Sequence, residues 1–142
     1  MNPNTEGFTR ELNKSEIKNL IRKYCKIYKL NESLVLAVVD LESGFNHNCK
    51  NPKSSAYGLF QFLQHTTEWV GKMEGYDNLQ HYHIPTEIQI KLGCSYISYL
   101  MKKYNRNEYK AMKEYSGNTR NYWKVLNKIR SKYYKIKYQK EI

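Results

Sequence analysis

The carboxylate of Glu42 is the residue in this chain best placed to do acid chemistry. It closes the run Leu34-Val35-Leu36-Ala37-Val38-Val39-Asp40-Leu41-Glu42, which leaves almost no polar face on a helix. Positions three, four and seven before it are Val39, Val38 and Val35, so the carboxylate shares a helix face with three valines. It also lies in the last helical turn, where the helix dipole is negative. Both effects disfavour the ionised form. A carboxyl group that holds its proton near neutral pH can deliver it to a glycosidic oxygen. The bland alternative is an exposed charge marking a helix end.

The stretch after Glu42 supplies groups suited to a sugar. Residues 44 to 65 read as a long ordered loop, with turn formers Asn46, Asn48, Asn51, Pro52, Ser54 and Ser55. Loops of this length in a small domain are usually functional. Gly58 would let a saccharide approach the backbone. Gln61 offers a donor and an acceptor. Tyr57, Phe60 and Phe62 could flank a pyranose ring, although core packing is the simpler role for at least one of the two phenylalanines. The tract lacks the Gly-Lys-Ser/Thr ending of a phosphate-cradling loop.

These residues also fall into an ordered series of motifs. Glu42-Ser43 with Asn46, then Gly58-Leu59-Phe60-Gln61, then Gly93 with Tyr96, then Glu114-Tyr115-Ser116-Gly117 resemble the successive motifs of the soluble lytic transglycosylases, relatives of goose-type lysozymes. Ser116 stands where that family usually has Asn, and Glu114 where it usually has a small residue. The resemblance spans roughly residues 15 to 130. It implies an all-α, lysozyme-like fold with a buried central helix and a substrate cleft. It implies peptidoglycan as substrate, cleaved at the β-1,4 bond between N-acetylmuramic acid and N-acetylglucosamine, with a 1,6-anhydro end formed. Glu42 would be the single general acid and base, so no cofactor or metal is needed. Ser43, Asn51, Tyr57, Gly58, Leu59, Phe60 and Gln61 would bind substrate. Tyr115 would direct its hydroxyl at Glu42 and fix its orientation. Tyr82 would stack on sugar from a lid formed by residues 76 to 85. A hydrolytic muramidase of goose type is the nearest alternative. It would need a carboxylate holding a water opposite Glu42, roughly 6.5–9.5 Å away, with Asp77 and Glu114 as candidates. A catalytically silent peptidoglycan-binding module is the alternative outside enzymes.

The elements that must position these groups are helical. Asn13 and Glu16 match a capping box, and a first helix is expected from about Lys14 to Lys29, with Ile17, Leu20, Ile21, Tyr24 and Tyr28 along one face. Asn31 would cap the buried second helix and Gly44 would end it in a left-handed conformation. Shorter helices follow near Thr66–Met73, Thr86–Tyr104 and Glu108–Glu114, and Thr119 would cap a last long one. Gly93, costly inside a helix, would permit close contact with another helix. On that last helix Tyr122, Val125, Leu126, Ile129 and Tyr133 share an apolar face.

Length and composition bound the rest. The chain has 142 residues, enough for one domain. The expected organisation is a flexible segment at 1–12, the domain at 13–130 and a basic helical extension at 131–142. No run approaches the roughly 18 apolar residues of a membrane span. No secretory signal is visible at the start, so the resemblance implies a place in the cell wall or periplasm, or on a virion. Cys25, Cys49 and Cys94 match no zinc spacing and read as structural thiols. His81 and His83 do not share a helix face, which argues against a metal site. The formal net charge is +11. Lys124, Lys128, Arg130, Lys132, Lys135, Lys137 and Lys140 concentrate it near the end, where it could hold anionic wall polymers such as teichoic acids. Nucleic acid is not expected, because no recognition-helix or RNA-binding signature accompanies the basic tract. A monomer is expected.

Overall fold

In a computed structural model, the backbone is described for residues 11–141 and the side chains up to Tyr134. Helix α1 (Lys14–Tyr28) is followed by α2 (Glu32–Ser43), α3 (Gln64–Met73), a single 3-10 turn (His81–His83), α4 (Thr86–Lys103), α5 (Glu108–Tyr115) and α6 (Tyr122–Glu141). The described residues hold no strand beyond two isolated antiparallel bridges, Lys50 with Tyr57 and Tyr57 with Phe62. The all-α expectation is met. The expected flexible segment at 1–12 falls almost wholly outside the described residues. Helix α6 runs unbroken across residue 131.

The helix boundaries follow from their caps. The Asn13 side chain accepts from Glu16 N–H while Glu16 accepts from Asn13 N–H, at 2.8 and 3.1 Å. Asn31 accepts from Ser33 N–H, and Gly44 ends α2 with φ of 58°. Thr119 does not cap α6. Its hydroxyl donates to Ser116 C=O at 2.6 Å, closing the preceding turn, and the helix starts at Tyr122.

Helix α2 is the centre of the molecule. Every residue from Ser33 to Val39 is buried, so no face of its first two turns meets solvent. Helix α1 packs on it and on α4, and α6 crosses it from the other side. Ile17, Ile21, Leu34, Val35, Ile97, Leu100 and Leu126 are all at most 1% exposed, forming one continuous core. Cys25 and Cys94 are buried free thiols and Cys49 is a half-buried one.

One expected member of the cationic surface is internal. Arg130 is 4% exposed and forks onto Glu108, Nη1 to Oε1 at 2.8 Å and Nη2 to Oε2 at 3.1 Å, while its Nε donates to Ser33 Oγ. Guanidinium geometry suits this bidentate pairing, and it ties α6 to α5 and α2. Lys124, Lys128 and Lys132 are exposed as expected. Lys135, Lys137 and Lys140 lie outside the described side chains.

Gly93 has its cost explained by a ring rather than a helix. A Cβ there would meet three atoms of the Phe60 ring at 2.5 Å, so α4 seats that side chain directly on its backbone.

Candidate active site

The loop from Phe45 to Leu63 is shaped by its own backbone. Asn51 N–H donates to Ala56 C=O, Tyr57 N–H to Phe62 C=O, and Gly58 N–H to Cys49 C=O. The buried side chain of Gln89 on α4 then pins it. Gln89 accepts from Leu59 N–H at 2.9 Å and donates to His47 C=O and Ile84 C=O, each at 3.0 Å. Gly58, with φ of 84°, needs its missing side chain for this contact: a Cβ would lie 2.5 Å from Gln89 Oε1. The structure gives Gly58 a second reason to be glycine, the close approach of Gln89.

Glu42 emerges from the end of α2 onto a cleft of about 540 Å³. The residue is half-buried, and burial raises its pKa above the ordinary carboxylate value. An opposing contribution comes from Tyr122, whose hydroxyl donates to Glu42 Oε2 at 2.6 Å. Asp40 is drawn to another side of α2, where Tyr133 donates to its Oδ2 at 2.7 Å.

The tyrosine that holds Glu42 is therefore not the one expected. Tyr115 donates to Phe60 C=O at 2.6 Å, bonding to backbone of the loop. It still lines the cleft, and its own pKa is pushed well up, by burial first and then by the neighbouring Glu42 charge. Tyr122 carried no chemical signal in the sequence. Its position on an apolar stripe marked it for core packing, and its partner lies eighty positions away.

Of the other expected site residues, Asn51, Phe60 and Gln61 line the cleft with Glu42. Gln61 adopts φ of 52°, and its amide nitrogen donates to Cys49 C=O and Gly58 C=O, so it braces the loop from within the cleft wall. Four residues fall elsewhere. The Ser43 hydroxyl donates back to Val39 C=O within α2. Leu59 is fully buried in the core. Tyr57 is 7% exposed and donates to Asn48 Oδ1, its ring edge-on to His81 and Tyr82. Tyr82 is exposed but is not part of the cleft wall, because it packs on the outer side of Tyr57. The lid expected from residues 76–85 is held instead by His81, which is buried and pairs with Thr67 Oγ1 at 2.8 Å.

The opposite wall comes from α3, α4 and the turn after α5. His65, Thr66, Tyr96, Ser116 and Thr119 all line it; Tyr96 and Ser116 stood in the sequence motifs without an assigned role, and the other three carried no signal of a site. Glu114 lines it too, but its carboxylate is engaged by Lys103 Nζ at 2.8 Å and by the Tyr104 hydroxyl. Those two bonds, Lys103 first, hold its pKa below the usual range. Asp77 is not among the cleft residues. Among the described residues no group of three or more His, Cys, Asp or Glu side chains could hold a metal ion.

This arrangement combines one carboxyl group whose pKa burial raises, a tyrosine bonded to it, and a groove with polar and aromatic walls. Comparison with known proteins places it in a family. The family model described as the transglycosylase SLT domain matches residues 19–138. The membrane-bound lytic murein transglycosylase C of Photorhabdus laumondii is 38% identical over 88 residues, covering 60% of this chain and 24% of that protein. The protein of the same name from Yersinia pestis is 30% identical over 123 residues, covering 80% of this chain and 34% of its own. This chain thus spans about a third or less of the length of these relatives. Among solved structures, an inactive mutant of the lytic transglycosylase Slt from Pseudomonas aeruginosa superposes with a TM-score of 0.64 at 22% identity, over 70% of this chain and 16% of that one. The 70-kDa soluble lytic transglycosylase of Escherichia coli gives 0.62 at 24% identity, over 77% and 18%. With the fold shared at that level and the family model matched over most of its length, this chain belongs to the transglycosylase SLT domain family.

Proposed function

We propose that the chain is a peptidoglycan lytic transglycosylase in which Glu42 alone serves as general acid and then general base. The observation that carries this reading is the half-buried Glu42 carboxyl, its pKa raised by burial, opening onto the cleft and held by Tyr122. In the first step Glu42 gives its proton to the bridging oxygen between N-acetylmuramic acid and N-acetylglucosamine. The C1–O4 bond breaks through an oxocarbenium-like state. Glu42, now ionised, takes the proton from the C6 hydroxyl of the same muramyl residue as O6 bonds to C1. One bond is lost, one is formed, and no water is consumed. The hydrogen bond from Tyr122 stabilises the ionised form reached midway, so it assists the step that needs a base.

Glu114 is the one carboxylate in the cleft wall that could instead activate a water and make the enzyme a hydrolase. Its lowered pKa and its ion pair with Lys103 make it a weak base, which favours the transglycosylase outcome. The substrate class agrees with the murein transglycosylases it is similar to, and bulgecin A, present in a solved complex of the 70-kDa soluble lytic transglycosylase, is a ligand to try. The site of action would be the cell wall, with the exposed lysines of α6 resting against anionic wall polymers. No described helix is long and apolar enough to cross a membrane.

The test is mass spectrometry of muropeptides released from purified peptidoglycan by this protein and by Glu42→Gln. Products ending in 1,6-anhydro-N-acetylmuramic acid, absent with the variant, are expected. Reducing ends carrying a water would show a hydrolase and return attention to Glu114. Equal release by parent and variant would remove Glu42 from the chemistry.

A further inference from the structure

The cleft wall on α3 and α4 continues outward as an aromatic surface that the proposed reaction does not use. His65 and Thr66 line the cleft at the start of α3, and Trp69 stands one turn further along the same face. Tyr96 lines the cleft from α4, and Tyr99 stands three residues beyond it. Trp69 and Tyr99 meet edge to face with ring centroids 4.9 Å apart. Tyr96 and Tyr99 are stacked, 10° from parallel with centroids 6.5 Å apart, and Trp69 is also edge-on to Tyr96. Phe62, another cleft residue, abuts Tyr96 at 5.5 Å. The line of rings therefore runs without a break from inside the cleft to open solvent.

Its outer members are costly to leave bare. Trp69 is 43% exposed and Tyr99 38%, with Met73 at 46% one turn beyond Trp69. Large aromatics that are fixed by neighbours yet wet on one face are what pyranose rings bind to. The apolar CH face of the sugar covers the ring while its hydroxyls stay hydrated. Each ring here is braced by others, so little side-chain freedom is lost on binding. The step from Thr66 to Trp69 advances roughly 4.5 Å along the helix axis, comparable to the advance of one sugar along a strand.

We propose that Trp69 and Tyr99 form a distal saccharide subsite that grips the glycan strand beyond the residues bound at the cleavage point. This rests on the reading of the cleft as a peptidoglycan-glycan groove. The ligand class is a β-1,4-linked N-acetylhexosamine chain, and the consequence is a preference for long strands over short oligosaccharides. The subsite leaves the chemical step untouched, because neither Trp69 nor Tyr99 is among the residues lining the cleft with Glu42.

Two measurements separate this proposal from the one it rests on. The first is binding, by isothermal titration of peptide-free glycan strands into Glu42→Gln and into Glu42→Gln with Trp69→Ala or Tyr99→Ala. Loss of about five- to ten-fold in affinity is expected for each truncation, with Trp69→Phe recovering most of it. Unchanged affinity in both truncations would overturn the subsite, whatever the enzyme does. So would a loss seen only with strands that keep their stem peptides, since the occupant would then be peptide. The second is cleavage by Trp69→Ala in the otherwise native chain. KM for long strands should rise by a similar factor, with kcat and the rate on the shortest cleaved oligosaccharide unchanged. An equal loss on long and short substrates would place Trp69 in the folding of the cleft and overturn the subsite. A parent that binds strands through Trp69 but cleaves nothing would refute the enzyme and leave the subsite standing.

Discussion

Replacing Tyr122 with Phe removes one hydroxyl and leaves the ring in place, so it isolates the bond to Glu42. In the native protein that bond favours the ionised carboxylate and partly offsets the rise in pKa that burial produces. A hydrogen bond onto a charged group is worth about 1.5–3 kcal/mol. The cost falls on the ionised form alone, so Glu42 in the variant keeps its proton to higher pH. With one pH unit corresponding to about 1.36 kcal/mol, the alkaline limb of the pH–rate profile should move up by about one to two units. In the proposed mechanism the first step needs protonated Glu42, so activity of the native chain should fall as pH rises through that limb, and in the variant it should fall later. The maximum rate should drop as well, because the carboxyl loses its orienting partner and the anion formed midway loses a donor. The assay is the clearing rate of a peptidoglycan suspension across pH at constant ionic strength. A limb that stays where it was, or moves down, would refute the placement of Tyr122 on the reacting acid. Tyr115→Phe is the control: its hydroxyl serves Phe60 C=O, so its limb should move far less.

Glu42→Gln should abolish turnover while stabilising the fold at neutral pH. The folded-state pKa is raised, so the folded chain holds a proton that the unfolded chain loses, and stability declines as pH rises from the ordinary carboxylate value of 4.5 through the raised one. The amide escapes that loss, and its melting temperature should exceed the parent's at pH 7 and match it at pH 4; a gap that is equal at both values would contradict the raised pKa. Gly93→Ala should lose about 1–3 kcal/mol in urea despite the better helix propensity of alanine, since the new Cβ meets the Phe60 ring at 2.5 Å. A neutral result would mean that Phe60 has room to retreat. Arg130→Ala should cost about 3 kcal/mol by stranding Glu108, and Arg130→Met with Glu108→Leu should recover much of it, both read from denaturant midpoints.

The sequence exposes what is local and conceals what is long-range. The capping box at Asn13, the cap at Asn31 and the left-handed Gly44 are written in neighbouring residues, and the structure has all three. The uninterrupted apolar run made α2 recognisable as a buried helix, and with it the unusual setting of Glu42. Which tyrosine reaches that carboxyl was not legible. Tyr115 and Tyr122 lie on different helices, and only the crossing of α6 over α2 decides between their hydroxyls. Gly58 was likewise ambiguous, since a glycine that admits a ligand and one that admits Gln89 look alike until the partner is known. Arg130 read as one more surface cation because its acid, Glu108, sits on another helix. Tyr82 and Tyr57 were likewise not placed by the sequence: their rings meet each other, and neither is among the residues lining the cleft.

Gln89 holds the catalytic loop by main-chain atoms alone, the N–H of Leu59 and the carbonyls of His47 and Ile84. Backbone groups are common to nearly every residue type, so this anchor does not depend on the side chains of Leu59, His47 and Ile84, although the side chains of Asn51 and Gln61 brace the loop elsewhere. An exposed position such as Lys53 can exchange without moving the groove, whereas Gly58 and Gln89 must change together or not at all. The fold thereby separates heritable variation in what the groove prefers from the geometry that lets Glu42 work, and new substrate preferences can accumulate on the rim of an unaltered catalyst.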